Sequence, residues 1–161
     1  MEERPSPHSS GQVSINAAPD MVYRVVADPV AMVSFAREVY RVRWLDGATG
    51  PRVGARFRGD NRKGLHRWWT IGTITAAEPN RRLAYEIRTP FRVPIARWQY
   101  DIEPTRHGCR VTESSWIKVP AWFAPIAIMI TGSRDRAAVN TSNIATTLRA
   151  LKTHIEASPP R

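Results

Sequence analysis

Between residues 39 and 119, apolar and polar positions alternate in six short runs, at 39–45, 55–61, 65–77, 83–89, 95–103 and 109–119. Successive side chains of an extended chain point to opposite faces, so the alternation predicts six strands. The runs are separated by DGATGP, NRKG, EPN, the stretch from Pro90 to Pro94 and TRHG, all of which carry turn-forming residues. Connections this short predict an antiparallel meander.

On either side of this block the period changes. QVSI, residues 12–15, reads as a short strand. AAPDMVYRVVAD then carries Ala18, Val22, Val25 and Val26 at helical spacing, with Pro19 near its start and Asp20 in a first turn where the helix dipole favours an anion. Pro29 closes that helix and opens a second short one in PVAMVSFAREV, running to about Phe35. From 133 to 157, Ala137, Ile144, Leu148, Leu151 and Ile155 fall on one stripe of a long amphipathic helix. The segment 121–131 reads as a short apolar helix or a hydrophobic loop closed by Gly132. Residues 1–11 read as a disordered tail, 12–157 as a single domain and 158–161 as a frayed C-terminus.

The strand parity contains one anomaly. In RWQYDIEPTRHGCRVTES, Trp98, Tyr100 and Ile102 share one side, and Val111 and Glu113 share the same side of the next strand. An apolar row of this kind builds a core, where a carboxylate is costly unless it is paired or hydrogen-bonded. Either the row faces solvent, or the space behind it is not an ordinary core.

At 161 residues the chain fits one domain, able to bury roughly two thirds of its extended-chain surface. Its 24 Lys and Arg against 14 Asp and Glu leave a formal charge of +10, which invites a nucleic-acid or anionic-membrane reading. The arginines are spread over many segments, however, and several flank apolar residues as Arg56 and Arg58 flank Phe57. That is how the solvated face of an antiparallel sheet reads, so no specific nucleic-acid partner is expected. The start of the chain lacks the cationic and apolar regions of a secretory signal, and the longest apolar run, AWFAPIAIMI, falls short of the roughly 18 residues that cross a bilayer. The expectation is a cytoplasmic protein without stable membrane insertion, as a monomer or homodimer.

The single cysteine, Cys109, excludes an intrachain disulfide and reads as an ordinary strand residue. His8, His66, His107 and His154 are scattered and form no metal set. Neither a nucleophile elbow nor a phosphate-binding glycine loop is present. No cofactor or metal is indicated.

The order of elements, together with ADPVAMVSFAREV, VGARFRGDN, RWWTIGTITAAEPNRRLAYEI, RWQYDIEPTRHGCRVTES and NIATTLRALKTHIE, resembles the polyketide cyclase/dehydrase-like branch of the START-related helix-grip (SRPBCC) superfamily. The resemblance runs from about Gln12 to Glu156 and is specific for the fold. It implies an α+β fold in which a curved seven-stranded antiparallel sheet wraps around the long C-terminal helix, with two short helices between strands 1 and 2. It also implies a cavity between sheet and helix that holds hydrophobic ligands such as lipids, polyketides or other aromatic compounds. No universal catalytic motif carries across, and activity has to be argued from the site.

If the row containing Glu113 faces such a cavity, water or a ligand hydroxyl could satisfy the carboxylate. Glu113 then reads either as a ligand-orienting or acid/base group, or as a structural carboxylate paired within the wall. Phe57, Tyr85, Trp98 and Tyr100 are candidate wall residues, offering flat apolar surface and phenolic hydroxyls. Of the adjacent Trp68 and Trp69 only one can point inward; Trp68 does so if it keeps the parity of Ile74, and a bulge at Gly72 would exchange them. Asn61, Ser115, Asn140 and Ile144 complete the candidate ligand-binding set. Trp122, Phe123, Ile126 and Met129 form either a lid or plain core, and transient membrane contact while loading a lipid is a third use of that segment. The sequence therefore points first to a carrier of a hydrophobic small molecule, and second to a polyketide cyclase or dehydratase using Glu113. A nucleic-acid-binding protein comes third.

Overall fold

The computed structural model describes residues 4–158. In chain order these form β1 (Ser9–Ile15), α1 (Pro19–Val26), α2 (Pro29–Met32), a 3-10 turn (Val33–Phe35), β2 (Val39–Trp44), β3 (Arg56–Lys63), β4 (His66–Glu78), β5 (Arg82–Arg88), β6 (Pro94–Thr105), β7 (Gly108–Ile117), α3 (Ala124–Thr131) and α4 (Arg136–Ala157). The seven strands make one antiparallel sheet in the order β1-β7-β6-β5-β4-β3-β2. Strands β2 to β7 are successive neighbours, and β1 closes the far edge beside β7, with Ser9 opposite Ser115 and Ile15 opposite Cys109. This is the α+β helix-grip arrangement, with α1 and α2 between the first two strands.

Local chemistry sets the helix ends. Pro19 and Pro29 occupy first turns, where a missing N–H costs nothing. Asp135 caps α4 by accepting from the Ala138 N–H at 3.0 Å. Along α4 the buried positions Asn140, Ile144, Thr147, Leu148, Leu151 and Ile155 follow the helical period and turn toward β1 and β7.

The concave face is divided in two. At one end Ile15, Val22, Leu83, Ile102, Val111 and Leu151 pack into a continuous apolar core beneath α1 and the C-terminal half of α4. Toward the other end, the same rows of β6 and β7 continue as Trp98 and Ile117 and border open space instead. Tyr100 and Glu113 sit at the junction, on directly paired positions.

One expectation needs correction. The tail expected over 1–11 is shorter, because β1 starts at Ser9 and the preceding residues are anchored too: the His8 N–H donates to the Ser115 carbonyl at 2.9 Å, and the Trp116 indole donates to the Pro5 carbonyl at 2.6 Å. Strand β7 would otherwise present a free edge of unpaired backbone groups, and these residues satisfy it. The composition SSG reads as turn, yet Gly11 belongs in the strand because a side chain there would collide with α4; a Cβ would lie 2.8 Å from Cγ2 of Ile144. Beyond Ser158, the fray expected at 158–161 lies outside the described residues.

The convex face carries the arginines, many of them paired. Arg82 meets Asp101 at 2.6 Å, Asp60 is shared by Arg41 and Arg58 at 2.7 and 2.9 Å, and Arg58 lies 4.1 Å from the centre of the Trp69 ring. Burial pushes the Asp60 carboxyl up, but the hydrogen bonds from Arg41 and Arg58 outweigh it and leave its pKa below the ordinary carboxylate value.

Candidate functional site

The register of β3 and β4 decides which tryptophan faces inward. Phe57 opposes Gly72, Gly59 opposes Thr70 and Asn61 opposes Trp68, without interruption. The irregularity in β4 falls between Ile74 and Ala76, beyond Gly72, so Trp68 shares the inward side with Thr70, Gly72 and Ile74. Trp69 is on the other side, stacked under Arg58.

The inward rows of β3 to β7, with α2, α3 and the N-terminal half of α4, surround a cavity of about 1160 Å³. Phe57, Trp68, Tyr85 and Trp98 supply aromatic wall. Phe57 meets Tyr85 and Trp44 edge-on, with ring centres 5.3 and 6.0 Å apart, and it lies flat over Gly72, where a Cβ would come within 2.2 Å of the ring. Asn61 also borders the space, but its amide donates to the Gly59 carbonyl at 3.2 Å. Phe123, just before α3, and Ile126 within it line the cavity, whereas Trp122 and Met129 are largely exposed and do not. The apolar segment is thus half wall and half surface.

Charged and polar residues line the cavity around Arg37, Glu38, Arg67, Arg136 and Asn143, and a second, buried polar cluster lies where cavity meets core. Tyr100 donates its hydroxyl to Oε1 of Glu113 at 2.7 Å. Asn140 donates from Nδ2 to Oγ of Ser115 at 3.3 Å, and Ser115 lies two residues along β7 from Glu113, on the same face. Glu113 Oε2 and Asn140 Oδ1 are buried and have no hydrogen-bond partner among the described residues. Unpaired buried polar atoms of this kind are uncommon in folded proteins, and here both belong to residues that line the cavity.

Electrostatics follow from this placement. Burial lifts the Glu113 carboxyl to about 8, against the opposing effect of the Tyr100 hydrogen bond. At neutral pH the side chain is therefore mostly a neutral carboxylic acid. Burial and the neighbouring Glu113 also push the Tyr85 and Tyr100 hydroxyls well above their ordinary value, so both stay protonated. The cluster can donate and accept hydrogen bonds without presenting a fixed charge.

Eight of the ten candidate residues border the cavity: Phe57, Asn61, Trp68, Tyr85, Trp98, Tyr100, Glu113 and Asn140. Ser115 and Ile144 do not. Ser115 is sealed behind Asn140, and Ile144 is packed against β1 at Gly11, because the stripe of α4 turns away from the cavity as it meets the sheet edge. The sequence reading also missed the ion pair closing one rim, in which Arg136 of α4 grips both carboxylate oxygens of Glu38, one of them at 3.0 Å. Nothing in the spacing of these residues signals a partnership across almost a hundred positions. Among the described residues no group of three His, Cys, Asp or Glu converges to hold a metal ion, and no helix is long and apolar enough to cross a membrane.

A family model described as polyketide cyclase / dehydrase and lipid transport matches residues 6–156. Among solved structures, a Polyketide_cyc-like protein from Corynebacterium glutamicum is 26% identical, with a TM-score of 0.61, over 94% of this chain and 93% of that one. The di-domain ARO/CYC of the steffimycin biosynthetic pathway superposes with a TM-score of 0.70 at 16% identity; 91% of this chain aligns with 49% of that one, about half its length. A protein of Chromobacterium violaceum superposes with a TM-score of 0.67 at 15% identity, over 96% of this chain and 100% of that one. None of the curated proteins matches the chain.

Proposed function

Because this chain belongs to the polyketide cyclase/dehydrase and lipid transport family, we propose that it binds a hydrophobic small molecule in the cavity between the sheet and α4. The observation that carries this reading is the cavity itself: about 1160 Å³ walled largely by aromatic and aliphatic side chains, with two buried, unpaired polar atoms, on Glu113 and Asn140, in residues that line it. A site of this size and polarity matches those that bury small apolar ligands and orient them by a few polar contacts. The ligand carries at least one oxygen, positioned against Glu113 Oε2 and Asn140 Oδ1, and the remainder is apolar and lies along Phe57, Trp68 and Trp98.

The test is native mass spectrometry of freshly purified protein, followed by organic extraction and identification of what co-purifies. A lipid or aromatic compound released on denaturation is the expected result. A protein that arrives empty, and takes up neither aliphatic nor aromatic probes on titration, overturns the reading.

A second reading is favoured by one observation: Glu113 is buried in the wall and bonded to the Tyr100 hydroxyl at 2.7 Å, and this burial lifts its pKa to about 8. A carboxylic acid neutral at working pH beside two phenols is the group needed to protonate a departing hydroxyl or a carbonyl oxygen during dehydration or ring closure. The enzyme reading requires turnover that disappears in Glu113→Gln while ligand binding persists. Binding without turnover in the unsubstituted protein leaves the carrier reading standing alone.

A further inference from the structure

A second cleft, of about 590 Å³, lies where the β3–β4 hairpin approaches α4. Arg37, Arg62, Lys63 and Arg67 line it, with Ser142 and Asn143 contributed by α4. Gathering four cations costs Coulomb energy unless something answers their charge. Among the described residues none of the four forms an ion pair. The one acid in the cleft, Glu38, is already held through both oxygens by Arg136.

The three arginines are held instead by neutral partners. Arg37 donates to the Ser142 hydroxyl at 3.4 Å, Arg67 donates to the Gly64 carbonyl at 2.9 Å, and Arg62 lies 5.1 Å from the centre of the Tyr40 ring. These contacts orient the guanidinium groups and leave their charge unanswered. The cleft also adjoins the apolar cavity, because Arg37, Glu38, Arg67 and Asn143 line both.

We propose that this cleft is a phosphate-binding site, and that it receives the head of an amphipathic ligand whose apolar part lies in the main cavity. The inference rests on the reading of that cavity as a hydrophobic-ligand site and adds the chemical class of the head group. Phosphate fits better than carboxylate on two grounds. A phosphate monoester carries close to two negative charges at neutral pH, which answers four cations better than one charge does. It also offers three oxygens to guanidinium forks, which bind such groups through paired N–H bonds.

The experiment uses the full chain and a matched pair of probes, 1-dodecanol and dodecyl phosphate, titrated below their aggregation limits and followed by calorimetry and by the fluorescence of Trp68 and Trp98. Dodecyl phosphate is expected to bind about tenfold or more tightly than dodecanol, with the gain shrinking as ionic strength rises. In the double variant Arg62→Gln/Lys63→Gln, two residues that line the cleft and not the cavity, the gain is expected to disappear. Equal affinities for the two probes, with dodecanol still bound, overturn the phosphate site and leave the cavity reading intact. Failure of both probes to bind counts against the cavity reading itself. Inorganic phosphate alone is the third arm: if it binds as tightly as dodecyl phosphate and does not compete with it, the cleft is a separate anion site and the head-group proposal fails.

Discussion

Tyr100 and Glu113 face each other directly across β6 and β7, and the tyrosine hydroxyl donates to Oε1 of the carboxyl at 2.7 Å. The pair stands where the packed core ends and the cavity begins; one carboxyl oxygen is fixed by Tyr100, and the other is buried without a hydrogen-bond partner among the described residues. With Oε1 accepting from Tyr100, the acid proton of neutral Glu113 resides on Oε2. If the cavity holds a ligand as proposed, that proton is the one Glu113 can offer to a ligand oxygen.

Replacing Tyr100 with Phe removes the only hydrogen bond among the described residues that favours the ionised carboxylate. The Glu113 pKa is expected to rise above its value of about 8, and the loss of a buried hydrogen bond should cost about 1–3 kcal/mol in urea unfolding near neutral pH. The carboxyl stretch in infrared titration reports the pKa directly. A pKa that falls in Tyr100→Phe would contradict this account of the pair.

Glu113 also makes stability depend on pH in a definite sense. Its folded pKa, about 8, lies above its ordinary value of 4.5, so between these values the folded state holds a proton that the unfolded chain has released. The stabilisation is therefore fully present below about pH 4.5, declines as pH rises, and is gone once pH passes the folded value. The slope from this one group approaches about 1.4 kcal/mol per pH unit at most. Glu113→Gln cannot titrate, so the difference in unfolding free energy between the variant and the parent should shift in favour of the variant from pH 5 to pH 8. A difference that stays constant across that window would mean that Glu113 is ionised in the folded protein.

Much of this arrangement was legible in the sequence, for a physical reason. Strand parity is fixed by backbone geometry, so Trp98, Tyr100, Ile102, Val111 and Glu113 could be assigned to one face from their order alone. The choice between Trp68 and Trp69 depended on where an irregularity interrupts β4, and propensity does not locate bulges. Its position between Ile74 and Ala76 keeps Trp68 inside. Ser115 and Ile144 have the right parity or helical phase but lie where α4 closes against the sheet edge, and that closure is a tertiary distance. The basic cleft was illegible for the same reason: Arg37, Arg62 and Arg67 read as scattered surface arginines until the β3–β4 hairpin and the segment before β2 bring them together around α4.

Gly72 tests the packing of the aromatic wall. A methyl group on its backbone would lie 2.2 to 2.6 Å from three atoms of the Phe57 ring, which is itself wedged between Trp44 and Tyr85. Gly72→Ala is expected to destabilise the protein by about 1–3 kcal/mol, the usual cost of overpacking. Phe57→Leu in the same chain removes the ring that the methyl group meets, so the double variant should be more stable than the sum of the two single changes allows. Strict additivity in a double-mutant cycle would show that the ring and the glycine are not in contact.

Asn140 separates a ligand contact from a structural one. Its Nδ2 spends a weak hydrogen bond on Ser115, while Oδ1 is buried without a partner, a state that destabilises the empty protein. Changing Asn140 to Leu alone would strand the Ser115 hydroxyl, which is fully buried, so the informative variant is Asn140→Leu/Ser115→Ala. Removing both polar partners together should leave stability unchanged or raise it, because no buried group is orphaned by the change. If Oδ1 accepts from a ligand hydroxyl, the same variant should bind a hydroxylated ligand roughly three- to tenfold more weakly, while its affinity for the matched ligand lacking that hydroxyl stays the same. The comparison needs both probes on one protein. A drop in stability with affinities unchanged would make Asn140 a packing residue, and the polar end of the ligand would then rest on Glu113 and the tyrosines alone.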